Sequence, residues 1–233
     1  MSRAAPLDVA LAIRRTLDAF VRDFAGVAVA GVALVILPGI LARHFGPGGD
    51  WATLIITLRG VCAMLYVALV SWGIVARLRG RALPPRAFLR EGLAHAQPGL
   101  QAALLAGVAI VIGLTLQLFA RHGSLAGWLL DVLLLAAGLW AICVAMPVVP
   151  AAVVERLPPM AAFRRAAALT QGNRNRILAL ALLVGVTLAP SAALVAGFAG
   201  PVAPWLASLF ELVAWSLVAT VPAVVYAGLR GDA

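Results

Sequence analysis

The chain has 233 residues, 64% of them hydrophobic and 12% charged, with a mean hydropathy of +1.04. Soluble domains carry about 25% charged residues, so the composition excludes an ordinary water-soluble globule and points to an integral membrane protein. The formal net charge of +9 comes from eighteen arginines and no lysine. These arginines lie beside apolar segments rather than in a basic stripe interleaved with aromatics, which argues against nucleic-acid binding.

The first element is "LDVALAIRRTLDAFVRDF", residues 7–24. Ala10, Ile13, Leu17, Phe20 and Phe24 recur at spacings of three and four, with Asp8, Arg15, Asp18 and Arg22 off that stripe. This pattern predicts an amphipathic helix lying in the membrane interface. Asp8, Asp18 and Asp23 also break the apolar run that a cleaved signal peptide needs. Six apolar segments follow, at about 24–42, 54–76, 99–120, 125–148, 177–198 and 203–227. Each is near the ~20 residues that cross ~30 Å of hydrocarbon as a helix. The predicted fold is all-α: a single membrane domain over 1–233, with six transmembrane helices in one bundle.

Fifteen of the eighteen arginines fall on one side of these spans, from Arg3, Arg14, Arg15 and Arg22 through the 77–90 and 156–176 connectors to Arg230. Only Arg43 and Arg121 fall on the other side, and Arg59 lies within a span. By the positive-inside rule both termini and the two long connectors are expected to be cytoplasmic.

Fragments of the sequence also recur. "GVALVI" at 31–36 returns as "GVAIVI" at 107–112, "ARH" at 42–44 returns at 120–122, "LPPRAF" at 83–88 as "LPPMAAF" at 157–163, and "PAAVVERL" at 150–157 as "PAVVYAGL" at 222–229. Together they suggest three copies of an elbow helix followed by a two-span hairpin. Pro6, Pro85 and Pro159 fit as residues in the first turn of each elbow, where a missing N–H costs nothing. In the fifth span Ala181, Gly185, Ala189, Ala193 and Gly197 form an i, i+4 series, and such a ridge predicts close packing and a central position. Pro190 predicts a bend there. Cys62 and Cys143 sit at different depths, which argues against a disulfide.

Three ionisable residues lie within spans: Arg59, Asp131 and Glu211. All three fall in the second helix of their hairpin, near its outer end. Arg59 lies eighteen positions before Arg77, which at ~1.5 Å per residue puts it ~27 Å away, near the outer boundary. They read either as a polar cluster lining a substrate path or as an ion pair tying hairpins together. No motif fixes a nucleophile beside the carboxylates, and H-E-x-x-H, G-x-S-x-G, G-x-x-x-x-G-K-[ST] and C-x-x-C are all absent. His44 and His122 hold equivalent loop positions but have no third ligand, and His95 reads as an interfacial polar residue. No metal or cofactor is expected.

The most polar stretch is "VVERLPPMAAFRRAAALTQGNRNRILALAL", 153–182. Met160, Phe163 and Ala167 make an apolar stripe flanked by Arg164 and Arg165. Gly172 can take the left-handed conformation that ends a helix, and Arg174 and Arg176 open the next span. At about 1 kcal/mol per arginine, an anionic leaflet would hold this elbow down. Glu155 is expected to pair with one of the arginines.

The run from Glu155 through "MAAFRRAAALTQGNRNRI" at 160–177, with the closing "VPAVVYAGLR" at 221–230, resembles the membrane domain attached to some glycerophosphoryl diester phosphodiesterases and allied bacterial inner-membrane proteins. The residues carrying the likeness include Glu155, Arg164, Arg165, Thr170, Gly172, Asn173, Arg174, Arg176, Tyr226 and Arg230. Ala166, Ala167 and Asn175 depart from the pattern, which favours Ser, Trp and Trp there. The resemblance implies an inner-membrane helical domain but no phosphodiesterase chemistry, because the soluble catalytic domain is not in this chain.

These readings converge on a non-catalytic membrane protein that engages anionic lipid headgroups, or a membrane protein partner, through cytoplasmic Arg-rich elbows. The rivals are a transporter or lipid-handling protein with a path past Arg59, Asp131 and Glu211, and an intramembrane enzyme whose carboxylates converge.

Overall fold

A computed structural model describes residues 7–44, 51–118, 125–197 and 203–231, nearly all of them helical. Helix α1 (Val9–Arg22) is capped by Asp8, whose side chain accepts from the Leu11 N–H at 3.1 Å. Its faces divide three ways. The predicted stripe of Leu17, Ile13, Phe20 and Phe24 is exposed or half-buried, Arg14, Asp18 and Arg22 are exposed, and the buried face is Ala12, Thr16 and Ala19. Small residues spaced four and three apart thus dock the helix, principally on α10 (Ala203–Arg230), Ile13 and Phe20 pack at the edge of the core, and Leu17, Val21 and Phe24 stay exposed.

The first span is continuous but irregular: α2 (Phe24–Gly31), a π segment (Val32–Ile36) and α3 (Leu37–His44). The Leu37 N–H reaches back to the Val32 carbonyl. Pro38 follows at once, and a helical proline clashes with the carbonyl four residues earlier, so a widened turn is the physical accommodation. The remaining helices are α4 (Ala52–Leu78), α5 (Pro85–Leu118), α6 (Leu125–Ala145), α7 (Val148–Glu155), α8 (Pro159–Leu169), α9 (Arg174–Gly197) and α10.

Among the described residues, six spans are long and apolar enough to cross a membrane: Phe24–Arg43, Ala52–Leu78, Pro85–Gly113, Gly127–Glu155, Arg174–Ala193 and Trp205–Arg230. They match the six expected from the sequence, with two corrections of boundary. The second elbow is not a separate helix, since α5 runs from Pro85 through Pro98 without a break. The fourth span extends past 148, because α6 stops at Ala145, turns at Pro147 and continues as α7 to Glu155. Pro85 and Pro159 do open their helices. Pro6, Arg121 and His122 lie outside the described residues.

The fifth span corrects the sequence reading more deeply. In its most apolar window 11% of the residues of α9 are buried, against 61% in α10, so α10 is central and α9 peripheral. Ala181 is half-buried, Gly185, Ala189, Ala193 and Gly197 are exposed, and a Cβ on Gly185 or Gly197 would meet nothing within 4 Å. The helix passes through Pro190 without interruption. The close glycine contacts lie elsewhere. A Cβ on Gly73 would come within 2.0 Å of the Phe88 ring, which Gly26 also borders, and one on Gly31 within 2.0 Å of Leu212. Phe88 is 1% exposed, so α2, α4 and the start of α5 meet around a single ring.

Inside the bundle the Tyr66 and Ser216 hydroxyls lie 2.7 Å apart, and Ser216 donates to the Leu212 carbonyl at 2.6 Å. This satisfies both hydroxyls where no water competes and joins α4 to α10. Cys62 and Cys143 are free thiols. One end of the bundle gathers the helix termini rich in arginine and is called the basic end below. At the far end, exposed Trp51, Trp128 and Trp205 stand at or near the start of α4, α6 and α10 and recur at an interval of 77 residues. Aromatic side chains at that position suit a membrane–water boundary.

Candidate functional site

At the basic end, α7 brings Glu155 to the start of the α7–α8 turn, and α10 brings Tyr226 and Arg230 beneath it. The Tyr226 hydroxyl donates to Glu155 Oε1 at 2.7 Å, and Arg230 Nη1 donates to the Tyr226 oxygen at 2.9 Å. Arg165, one elbow turn away on α8, donates from Nε to both Glu155 oxygens at 3.1 and 3.2 Å. Glu155 therefore has the arginine partner expected of it, plus two partners from the far end of the sequence. The turn itself is held by Arg156 in the left-handed region at φ 52°, a conformation a non-glycine residue keeps only where its surroundings fix it. Arg156 donates to His95 Nε2 at 2.7 Å, and His95 stacks on Trp72 with ring centroids 4.9 Å apart. The Arg81 guanidinium also lies over the Trp72 ring, 5.9 Å from its centroid.

The "TQGNRNR" turn joins α8 to α9. Gly172 is at φ +81°, so it supplies the left-handed residue that ends α8. Buried Asn173 accepts from the Leu7 N–H at 2.9 Å, and Arg176 Nη1 donates to the Leu7 carbonyl at 3.0 Å. Both backbone groups of Leu7, just before α1, are thus satisfied by side chains from the opening of α9. Thr170 is buried and donates to the Ala167 carbonyl at 3.2 Å. The Arg174 guanidinium lies 5.7 Å from the Trp140 ring centroid. Gln171, Gly172, Arg174 and Asn175 line an open hollow of about 330 Å³. Arg164 is exposed and unpaired among the described residues. The motif arginines therefore divide: Arg165 and Arg176 are spent on internal partners, while Arg164 faces outward.

A second clamp was not foreseen in the sequence. Asp23 lies buried between α1 and α2, and Arg77, ending α4, donates from Nε to both its oxygens at 3.0 Å. Its only sequence signal is an acid between an amphipathic helix and an apolar span.

No protein-family model, curated protein or solved structure matches this chain. The geometry alone therefore carries any functional argument.

At the far end, Arg59 from α4 and Glu211 from α10 form an ion pair, Arg59 Nη2 donating to Glu211 Oε1. Arg43 from α3, which the sequence placed only on the outer side of the spans, donates to Glu211 Oε2 at 3.2 Å and to the Ser208 hydroxyl at 3.1 Å. Gly39 leaves room for this, since a Cβ there would stand 3.3 Å from Glu211 Oε2. Asp131 does not join them. It sits on α6, which packs against α5, α7, α8 and α9 rather than α4 and α10, and its buried Oδ1 has no hydrogen-bond partner among the described residues. The two carboxylates therefore do not converge on one reacting atom. Among the described residues there is no cluster of three or more His, Cys, Asp or Glu side chains that could hold a metal.

Proposed function

We propose that this protein is a non-catalytic, multi-pass membrane factor of a bacterial inner membrane, whose basic end faces the cytoplasm and rests on anionic headgroups. The observation that carries this reading is the division of α1 into three sectors: a buried small-residue face, an exposed apolar face and an exposed charged face. Helix α8 likewise buries a small-residue face, Ala162, Ala166 and Leu169, and exposes Met160 and Arg164, one turn apart, on the opposite side. A helix with one face on protein, one in acyl chains and one in headgroups belongs at the interface. The first turns of α5, continuous with its span, divide in a related way, with Phe88, Gly92 and Ala96 buried and Arg86 and Arg90 exposed. A three-fold repeat of elbow and hairpin accounts for this and for the 77-residue interval of the tryptophans.

The likeness to the phosphodiesterase-attached membrane domain is supported by the convergence of Glu155, Arg165, Tyr226 and Arg230 in space. We assign those residues to holding the elbow in place and assign headgroup contact to the outward arginines. Reconstituted protein carrying Arg86→Ala, Arg90→Ala and Arg164→Ala tests this. At about 1 kcal/mol per arginine, each loss should weaken preference for anionic over zwitterionic lipid by about fivefold. Lipid enrichment around nanodisc-embedded protein is the readout, and a triple variant with the parent's preference overturns the proposal. Arg165→Ala should instead lower thermal stability.

A further inference from the structure

Two arginines open α9. Arg176 is committed to the Leu7 carbonyl, whereas the half-buried Arg174 makes no hydrogen bond or ion pair through its side chain among the described residues. Its Nε is buried without a partner. The guanidinium lies over the ring of exposed Trp140, a contact that uses its charge and leaves its five N–H donors without acceptors. Arg174 is also the first residue of α9, a helix of 24 residues. The first bonds of that helix run from the Arg176 and Ile177 N–H groups to the Asn173 carbonyl, at 3.1 and 3.0 Å. The N–H groups of Arg174 and Asn175 come before them and have no acceptor among the described residues, as at any helix start that nothing caps.

These unmet donors share one place. Gln171, Gly172, Arg174 and Asn175 line the hollow of about 330 Å³ at this turn, and no acidic residue is among the described residues that line it. A Cβ on Gly172 would meet nothing within 4 Å, so the approach to the backbone is open. The span Arg174–Ala193 begins here, which puts the hollow at the edge of the hydrocarbon, at headgroup level. We propose that this hollow binds a phosphate group, either the phosphomonoester headgroup of a membrane lipid or free phosphate. The donors are of three kinds, helix-start N–H groups, a guanidinium and side-chain amides. A tetrahedral oxyanion has acceptors enough for all of them, and the positive end of the helix dipole favours its charge. Binding of a lipid rests on the basic end lying among headgroups, whereas binding of free phosphate does not.

Trp140 reports on the site, because its ring carries the Arg174 guanidinium. In phosphatidylcholine nanodiscs at constant ionic strength, the fluorescence that differs between the parent and Trp140→Phe should change saturably with phosphate. Inorganic phosphate in place of chloride tests the free ion, and phosphatidic acid in place of part of the phosphatidylcholine tests the lipid; the one that acts names the source. Gln171→Glu sets a carboxylate at the hollow and should raise the half-saturating amount by about fivefold. Arg174→Gln should abolish the rise in melting temperature that the ligand gives the parent. Exposed Gln171 keeps the test available if Arg174→Gln does not assemble. Arg86→Ala, Arg90→Ala and Arg164→Ala together should leave the Trp140 response in place, so loss of the elbow contacts and loss of the hollow are told apart. No response to either phosphate source overturns the proposal. So does unchanged half-saturation in Gln171→Glu or an unchanged ligand-induced shift in Arg174→Gln, because Arg174 would then serve only to pack on Trp140.

Discussion

Glu155, at the end of α7, shows how much one carboxylate can organise when two other helices converge on it. It accepts from Arg165 on α8 and from Tyr226 on α10, and Arg230 Nη1 lies 3.8 Å away. A hydrogen bond to a charged group is worth about 1.5–3 kcal/mol, so Tyr226→Phe should destabilise the folded protein by that amount, read as a lower melting temperature in detergent. The Arg165 contact remains, and headgroup preference should be unchanged. Glu155 and its arginine were legible because an acid beside several arginines in a membrane protein needs a counterion. Tyr226 and Arg230 were not legible as its partners, since no local rule links residues 71 positions apart. Asn173 was legible as part of a turn but not as the partner of Leu7. A side-chain amide with four hydrogen-bonding sites does not announce which distant backbone it will satisfy.

At the scale of elements, helix packing depends on where the backbone can be approached. Phe88 enters between Gly73 and Gly26, so the beginning of α5 is keyed into α2 and α4 by shape. Gly73→Ala would set a methyl group against the ring and should cost about 1–3 kcal/mol. Phe88→Leu removes the atoms that collide, so the double variant should be less destabilised than the sum of the two single ones. Additive losses in thermal melts would exclude direct contact as the cause. The spans were readable to within a few residues because length and hydropathy are local properties. The two misplaced boundaries share a cause, which is that a proline can sit inside a helix, as Pro98 does, or end one, as Pro147 does. Neighbouring helices decide between these outcomes.

For the whole molecule, the arrangement of α9 and α10 could not be read from composition. A small-residue ridge has the same spacing whether it meets a helix or lipid, and only the topology selects α10 as the centre. Gly185→Leu should therefore change the melting temperature by no more than surface substitutions do, within about 0.5 kcal/mol, whereas Gly31→Leu should prevent assembly. A strongly destabilised Gly185→Leu protein would show that another chain occupies that face.

The grip of Asn173 on Leu7 also sets an order of events. The bond spans 166 positions, and at synthesis rates of roughly 5–20 residues per second its two halves leave the ribosome roughly 8–30 seconds apart. During that interval α1 has no α10 to dock on and no Asn173 to satisfy Leu7. The small-residue face of α1, Ala12, Thr16 and Ala19, therefore stays uncovered until the last third of the chain arrives to close over it.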